Sequence, residues 1–234
     1  MAQRAVNVSG IGEVVIIKRK NSSNLRLTIT TDAKVRVSIP YWTPYAIGVA
    51  FAKSRADWII QSIEKQKPST MNPGALIGKT HRLYFKRVAG LKIDRTMVKN
   101  SVIAISSSLP FEDQAVQAIA YTACERALKI EAQALLPNRL SAIANQYSYG
   151  YRKLRIRKLT SRWGSCSNRQ DITLSFFLVQ LPWELIDYVI LHELVHTKHL
   201  NHGRSYWQTF EQVMPNARYL RKQIKFYQPR VTPA

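Results

Sequence analysis

The stretch that most constrains this chain is Asp187-Tyr-Val-Ile-Leu-His-Glu-Leu-Val-His196. It is apolar and helix-forming, and it follows Leu181-Pro182, a sequence that opens a helix. At 3.6 residues per turn, His192 and His196 lie about 40° apart around the axis and about 6 Å apart along it. Two imidazoles at that spacing converge on one tetrahedral metal. Glu193 lies about 100° round from His192, within reach of a metal-bound water but not of the metal itself. Burying two histidines and a glutamate in such a helix is costly without a partner. A chance match on a surface helix therefore explains the segment poorly.

Zinc in a catalytic site takes three protein ligands and a water. All histidines after His81 fall in one short segment: His192, His196, His199 and His202. His199 continues the same helical face but lies about 10 Å along the axis from His192, and reaching back from there is strained. His202 follows Leu200-Asn201, where the chain can leave the helix and fold back, and Gly203 permits close approach. His202 is therefore favoured as the third metal ligand beside His192 and His196, with His199 and Glu211 as alternatives. One Zn2+ per chain is expected. His-Glu-x-x-His with such a third ligand points to a zinc metallopeptidase. Glu193 is the expected catalytic residue. As general base it takes a proton from a zinc-activated water, the hydroxide attacks a peptide carbonyl, and Glu193 returns the proton to the leaving amine. Tyr206 and Arg162 are candidates for a second electrophile. A structural zinc would leave Glu193 without a role, and no cysteine lies nearby in sequence. Cys166, between small residues, reads as a packing residue. The strand at Ile172-Thr-Leu-Ser-Phe176 reads either as a core strand or as an edge strand that pairs with an extended peptide.

The chain carries a formal charge of +21 over 234 residues. Basic residues gather at Lys18-Arg-Lys20, along 152–162 and along 218–225, with no dense run of five. Nonspecific affinity for nucleic acid or nucleotides is expected from such a surface. The charge also motivates two alternatives to simple peptide hydrolysis: a zinc-dependent hydrolase of nucleotides or other phosphate esters, and a nucleic-acid-associated protease. The apolar run Val14-Val-Ile-Ile17 is short and preceded by Glu13, so no secretory signal is expected. Residues 176–191 are broken by Gln180, Pro182, Glu184 and Asp187, so no membrane span is expected. Two cysteines, Cys124 and Cys166, form no disulfide framework and fit a cytoplasmic protein.

The apolar run at 14–17 and the alternation at 25–30 and 35–39 predict strands, with a hairpin link at Thr31-Asp-Ala-Lys34. Thr43-Pro44 is a helix start, and Ile47, Phe51, Ser54 and Trp58 mark its inward face, with a break near 53–55. Residues 67–74 read as a loop, followed by short strands to Ile105 with a turn at Ala89-Gly90. Pro110 opens a helical half: a long helix that Pro137 interrupts, then a short one to Tyr147. Residues 153–159 form a strand, Asn168-Arg-Gln-Asp171 a hairpin tip and 172–176 the return strand. Further helices are expected around Tyr206 to Val213 and after Pro215-Asn216.

Arg162-Trp-Gly-Ser-Cys-Ser167, Pro182, the 187–196 segment, Asn201-His202 and Trp207 together resemble the YgjP-like family of zinc metallopeptidases, related to the SprT-like and WLM proteases of the zincin class. Asn24-Leu-Arg-Leu27, Trp58-Ile59 and Gly78-Lys-Thr-His-Arg-Leu83 resemble that family's leading region more loosely. The resemblance spans about residues 14–225. It implies zinc on His192, His196 and His202, Glu193 as catalytic acid/base, and support of the site by the 162–167 segment. Gly203 departs from the Ser expected in the closest relatives and is similar to the SprT-like pattern. The expected architecture is α+β. A small N-terminal β-rich region with one helix (1–108) precedes a zincin-like metallopeptidase domain (109–234), whose His-Glu-x-x-His helix packs on a short antiparallel sheet. A peptide or protein is the expected substrate.

Overall fold

A computed structural model describes residues 2–30, 34–66 and 70–232. The link expected at 31–34 and the start of the loop expected at 67–74 fall largely outside these residues. The chain divides into two compact units, Met1–Pro68 and Ser69–Ala234. The boundary expected at 108/109 thus falls inside the second unit. The reason is packing: Ile77, Leu83, Ile103 and Ile105 share one buried core with the helix that follows them.

The first unit comprises β1 (Gln3–Val8), β2 (Gly12–Arg19), β3 (Arg26–Ile29), β4 (Val35–Pro40), α1 (Tyr45–Lys53) and α2 (Ala56–Gln66). Its sheet has the order β1-β2-β4-β3, with β2 and β4 parallel and the outer pairs antiparallel. Val14, Ile16, Val35, Val37 and Ile39 supply the buried face. The helix breaks at Ser54 as expected, but the predicted inward face is rotated. Gly48 and Ala52 are buried, while Ile47 and Trp58 are about half exposed at 47% and 53%. A Cβ on Gly48 would lie 3.0 Å from Ile16 Cγ2, so only small residues fit where α1 approaches the sheet. Thr43 does not cap α1; Pro44 occupies that position and no side-chain cap bond forms.

The second unit opens with β5 (Leu76–Ile77), β6 (His81–Arg87), β7 (Arg95–Lys99) and β8 (Val102–Ser107). Their order, β5-β6-β8-β7, repeats the pattern of the first sheet: two antiparallel pairs joined by a parallel one. α3 (Gln114–Gln146) follows, capped by Asp113, whose Oδ1 accepts from Ala115 N at 2.8 Å. Pro137 does not interrupt it. A proline inside a helix costs about 3 kcal/mol. Here Leu136, Leu140, Ile143 and Ala144 stay buried on either side of it, and Arg139 forks onto Asp187 at 2.7 and 2.5 Å. That packing offsets the local penalty.

Glu131 ties the sheet to α3. Its carboxylate accepts from the backbone N–H groups of Lys79, Thr80 and His81 at 2.6, 2.8 and 3.1 Å and from Thr80 Oγ1 at 2.8 Å, and it pairs with His81 Nδ1 at 2.7 Å. Burial pushes its pKa up, but these donors together hold it below the ordinary carboxylate value. Gly78 adopts φ +70°, and a Cβ there would lie 2.3 Å from Glu131 Oε2. The Gly78-Lys-Thr-His81 stretch is thus a clamp on α3.

A third sheet holds β9 (Lys153–Arg157), β10 (Gly164–Cys166) and β11 (Asp171–Ser175) in the order β10-β11-β9. It is mixed rather than antiparallel, because β9 runs parallel to β11 while β10 and β11 form a hairpin. β11 is therefore central and cannot be an edge for peptide pairing, and its Ile172 and Leu174 are fully buried. The hairpin tip is where expected, with Gln170 at φ +60°. A 3-10 turn (Phe176–Gln180) leads into α4 (Trp183–Val195), then α5 (Arg204–Val213), α6 (Ala217–Gln223) and a final 3-10 turn (Ile224–Phe226). α4 packs on α3, β10, α5 and α6. Among the described residues, no helix is long and apolar enough to cross a membrane.

Candidate metal centre

α4 carries Ile186, Ile190, Leu194 and Val195 fully buried in the core. That burial fixes the helix rotation and leaves His192 and His196 facing one side near its C-terminal end. The helix ends at Val195, with His196 as its C-cap. The chain then turns, with His199 N donating to Val195 O at 3.0 Å, and re-enters helix at Arg204. That turn returns His202 towards α4. His202 Nε2 lies 3.1 Å from both His192 Nε2 and His196 Nε2. Among the described residues, these three form the group of ligating side chains able to hold a metal ion.

The outer nitrogens explain why the inner ones converge. His196 Nδ1 lies 2.9 Å from the His199 carbonyl oxygen, which only accepts, so Nδ1 carries the proton and Nε2 bears the lone pair. His192 Nδ1 meets Tyr206 Oη at 2.6 Å. Burial and the neighbouring imidazoles push the His192 pKa down to about 3, and burial likewise lowers that of His202. Neutral rings with converging lone pairs repel one another unless a cation lies between them. Nitrogens about 2.0–2.1 Å from a tetrahedral zinc sit roughly 3.3 Å apart, close to the observed spacing. The donor set therefore fits a zinc ion.

His199 is not on the helix. Its Nε2 lies 3.0 Å from Thr209 Oγ1, and its carbonyl orients His196. Glu211 accepts from Arg218 Nε. Gly203 has φ −74°, and a Cβ there would meet nothing within 4 Å, so close approach does not require glycine at that position.

Glu193 is 4% exposed. Burial pushes its pKa up to about 8, opposed by the Arg162 charge. β10 runs directly against it: a Cβ on Gly164 would lie 2.7 Å from Glu193 Oε1 and 2.9 Å from its Cγ. Sequence reasoning assigned the 162–167 segment a general supporting role and missed this specific one. Cys166 is half-buried rather than buried, with its thiol pushed up to about 11 by burial and by the carboxylates of Glu193 and Asp171.

Tyr206, a candidate electrophile, is fully buried, and its hydroxyl sits on the Nδ1 side of His192, away from the converging nitrogens. It orients that ring instead. Such outer partners typically tune metal affinity by about 10–100-fold. Tyr206→Phe keeps the ring packing and is expected to weaken zinc affinity within that range, measured by competition with a chromophoric chelator; unchanged affinity would refute the orienting role.

A helix bearing two imidazoles and a buried carboxylate, with a third imidazole folded back onto it, is the arrangement of a metal-dependent peptidase. Comparison with known proteins agrees: residues 23–227 match the YgjP-like metallopeptidase domain, and the chain belongs to that family. No curated protein matches the sequence. One similar solved structure is the crystal structure of the metallopeptidase zymogen of Pyrococcus abyssi abylysin, 27% identical over 38% of this chain and 91% of that one, with a TM-score of 0.36.

Proposed function

We propose that this protein is a zinc-dependent peptidase in which His192, His196 and His202 hold one zinc ion and Glu193 is the general acid/base. The observation that carries this reading is the placement of His202 Nε2 3.1 Å from both His192 Nε2 and His196 Nε2, beside a buried carboxylate. Zinc bound there supplies Lewis acidity, which brings the pKa of water down to about 7. Glu193, with its own affinity for protons raised by burial, takes a proton from the attacking water and delivers it to the leaving amine. Its low exposure keeps that proton from bulk solvent. Arg162 is the remaining candidate for stabilising charge near the site. β10 is the edge strand of its sheet among the described residues and lies against Glu193, so an extended substrate pairs with its free edge by main-chain hydrogen bonds. The two free cysteines support placement in a reducing cytoplasm.

Casein hydrolysis by the purified protein is expected to stop on chelation and to return with one equivalent of zinc. Nucleoside triphosphates assayed in parallel are expected to remain intact. Hydrolysis that survives complete metal removal, or triphosphate turnover without peptide turnover, would overturn the reading.

A further inference from the structure

The three-stranded sheet has a second face, turned away from α4, and apart from Arg162 the chemistry proposed above makes no use of the residues there. Ser165 on β10, Thr173 on β11 and Arg155 on β9 lie in register across it. Arg157 follows Arg155 two residues along the same strand and so shares its face. Together with Lys158 and Arg162 these side chains line a cavity of about 490 Å³, and no carboxylate is among its lining residues. Arg155 approaches Asp171 at 3.5 Å and Lys158 approaches Glu125 at 2.6 Å. Arg157 and Arg162 have no carboxylate within ion-pair distance among the described residues, and both are exposed. The cavity is therefore a concave cationic site in which the Arg157 guanidinium has no carboxylate partner among the described residues, while the Arg162 charge also acts on Glu193. It reaches from β9 across to the edge strand that carries Gly164.

We infer that this cavity selects acidic side chains of the peptide substrate. The inference rests on the peptidase reading and on β10 as the strand that receives the peptide. A peptide added to the free edge of β10 directs alternate side chains to opposite faces of the sheet. One set faces Glu193 and the three imidazoles, and the other set faces the cationic cavity. Asp or Glu at these alternate positions meets guanidinium groups that can take a carboxylate in a two-pronged fork. The sequence's overall positive charge has no such focus.

The test uses zinc-loaded Glu193→Gln protein, so that binding is read without cleavage. Labelled decapeptides carrying Glu or Gln at alternate positions are compared by fluorescence anisotropy. The Glu peptide is expected to bind about fivefold more tightly, the advantage expected of one partly exposed ion pair. Arg157→Ala should remove most of that advantage, and Arg157→Glu should transfer the preference to a Lys peptide. Equal binding of the two peptides, or a Glu preference untouched by both substitutions, overturns the inference. So does a single-stranded oligonucleotide that outcompetes the Glu peptide at equal charge in an Arg157-dependent manner, which would assign the cavity to phosphates. Failure of the peptidase reading is read separately: unmodified protein that cleaves nothing, while the Glu193→Gln protein still prefers the Glu peptide, leaves the cavity assignment standing.

Discussion

Glu193→Gln is expected to lower peptide hydrolysis by roughly 10²–10⁴-fold while zinc stays bound at full stoichiometry. The substitution keeps the shape of a side chain that is 4% exposed and hemmed in by β10, so the fold and the three imidazoles are undisturbed. What it removes is the capacity to take and return a proton. The loss should therefore appear in kcat, with KM little changed, because in the proposed mechanism the carboxylate acts on the reacting water rather than on substrate docking. A variant that retains most of its activity would show that proton transfer goes through another group. Zinc stoichiometry measured on the same sample separates that outcome from simple loss of the metal.

The second large effect is expected at a residue with no chemistry of its own. Gly164→Ala introduces a methyl group whose carbon would lie 2.7 Å from Glu193 Oε1, 2.9 Å from Cγ and 3.0 Å from Cδ. Contacts this short force either β10 or the Glu193 side chain to move. β10 is held by its register with β11 and by Ser175 N donating to Trp163 O at 2.8 Å, so the carboxylate is the part that yields. Displacement of a catalytic group by about 1 Å costs on the order of 10²-fold in rate. Gly150→Ala is the matching control, since a Cβ there meets nothing within 4 Å. Steady-state kinetics on the two variants should show a kcat loss of about that size for Gly164→Ala alone, with zinc retained in both. Equal activity in the two would mean that the strand adapts and that glycine at 164 serves no catalytic purpose.

These two residues show where sequence reasoning reaches and where it stops. Helical periodicity is local, so the 192/196 pair and the adjacent Glu193 can be read directly from spacing. The return of His202 follows from the length of a turn, and the structure brings its Nε2 to 3.1 Å from both partners. Gly164 and Tyr206 act through contacts 29 and 14 residues away in sequence, at Glu193 and His192, and no pattern within either segment encodes them. The same holds for the fold. Strand alternation locates β3 and β4, and short apolar stretches mark β2 and β6. β1 escapes, because only Val8 of its six residues is buried and no alternation shows. The rotated face of α1 depends on how closely Gly48 approaches Ile16, and the continuity of α3 through Pro137 depends on packing that no propensity scale contains. The division at 68/69 has the same origin: β5 to β8 look like an extension of the N-terminal strands until their buried faces are seen to share a core with α3.

The central proposal is that one zinc ion sits among His192, His196 and His202. An anomalous difference map, collected on either side of the zinc absorption edge from crystals of the purified protein, tests it most directly. The expected result is one peak per chain, bonded to the three Nε2 atoms at about 2.0–2.1 Å with a fourth position open to solvent. A peak ligated by His199 or Glu211 in place of His202, or no anomalous peak in crystals of protein that hydrolyses peptide, would contradict it.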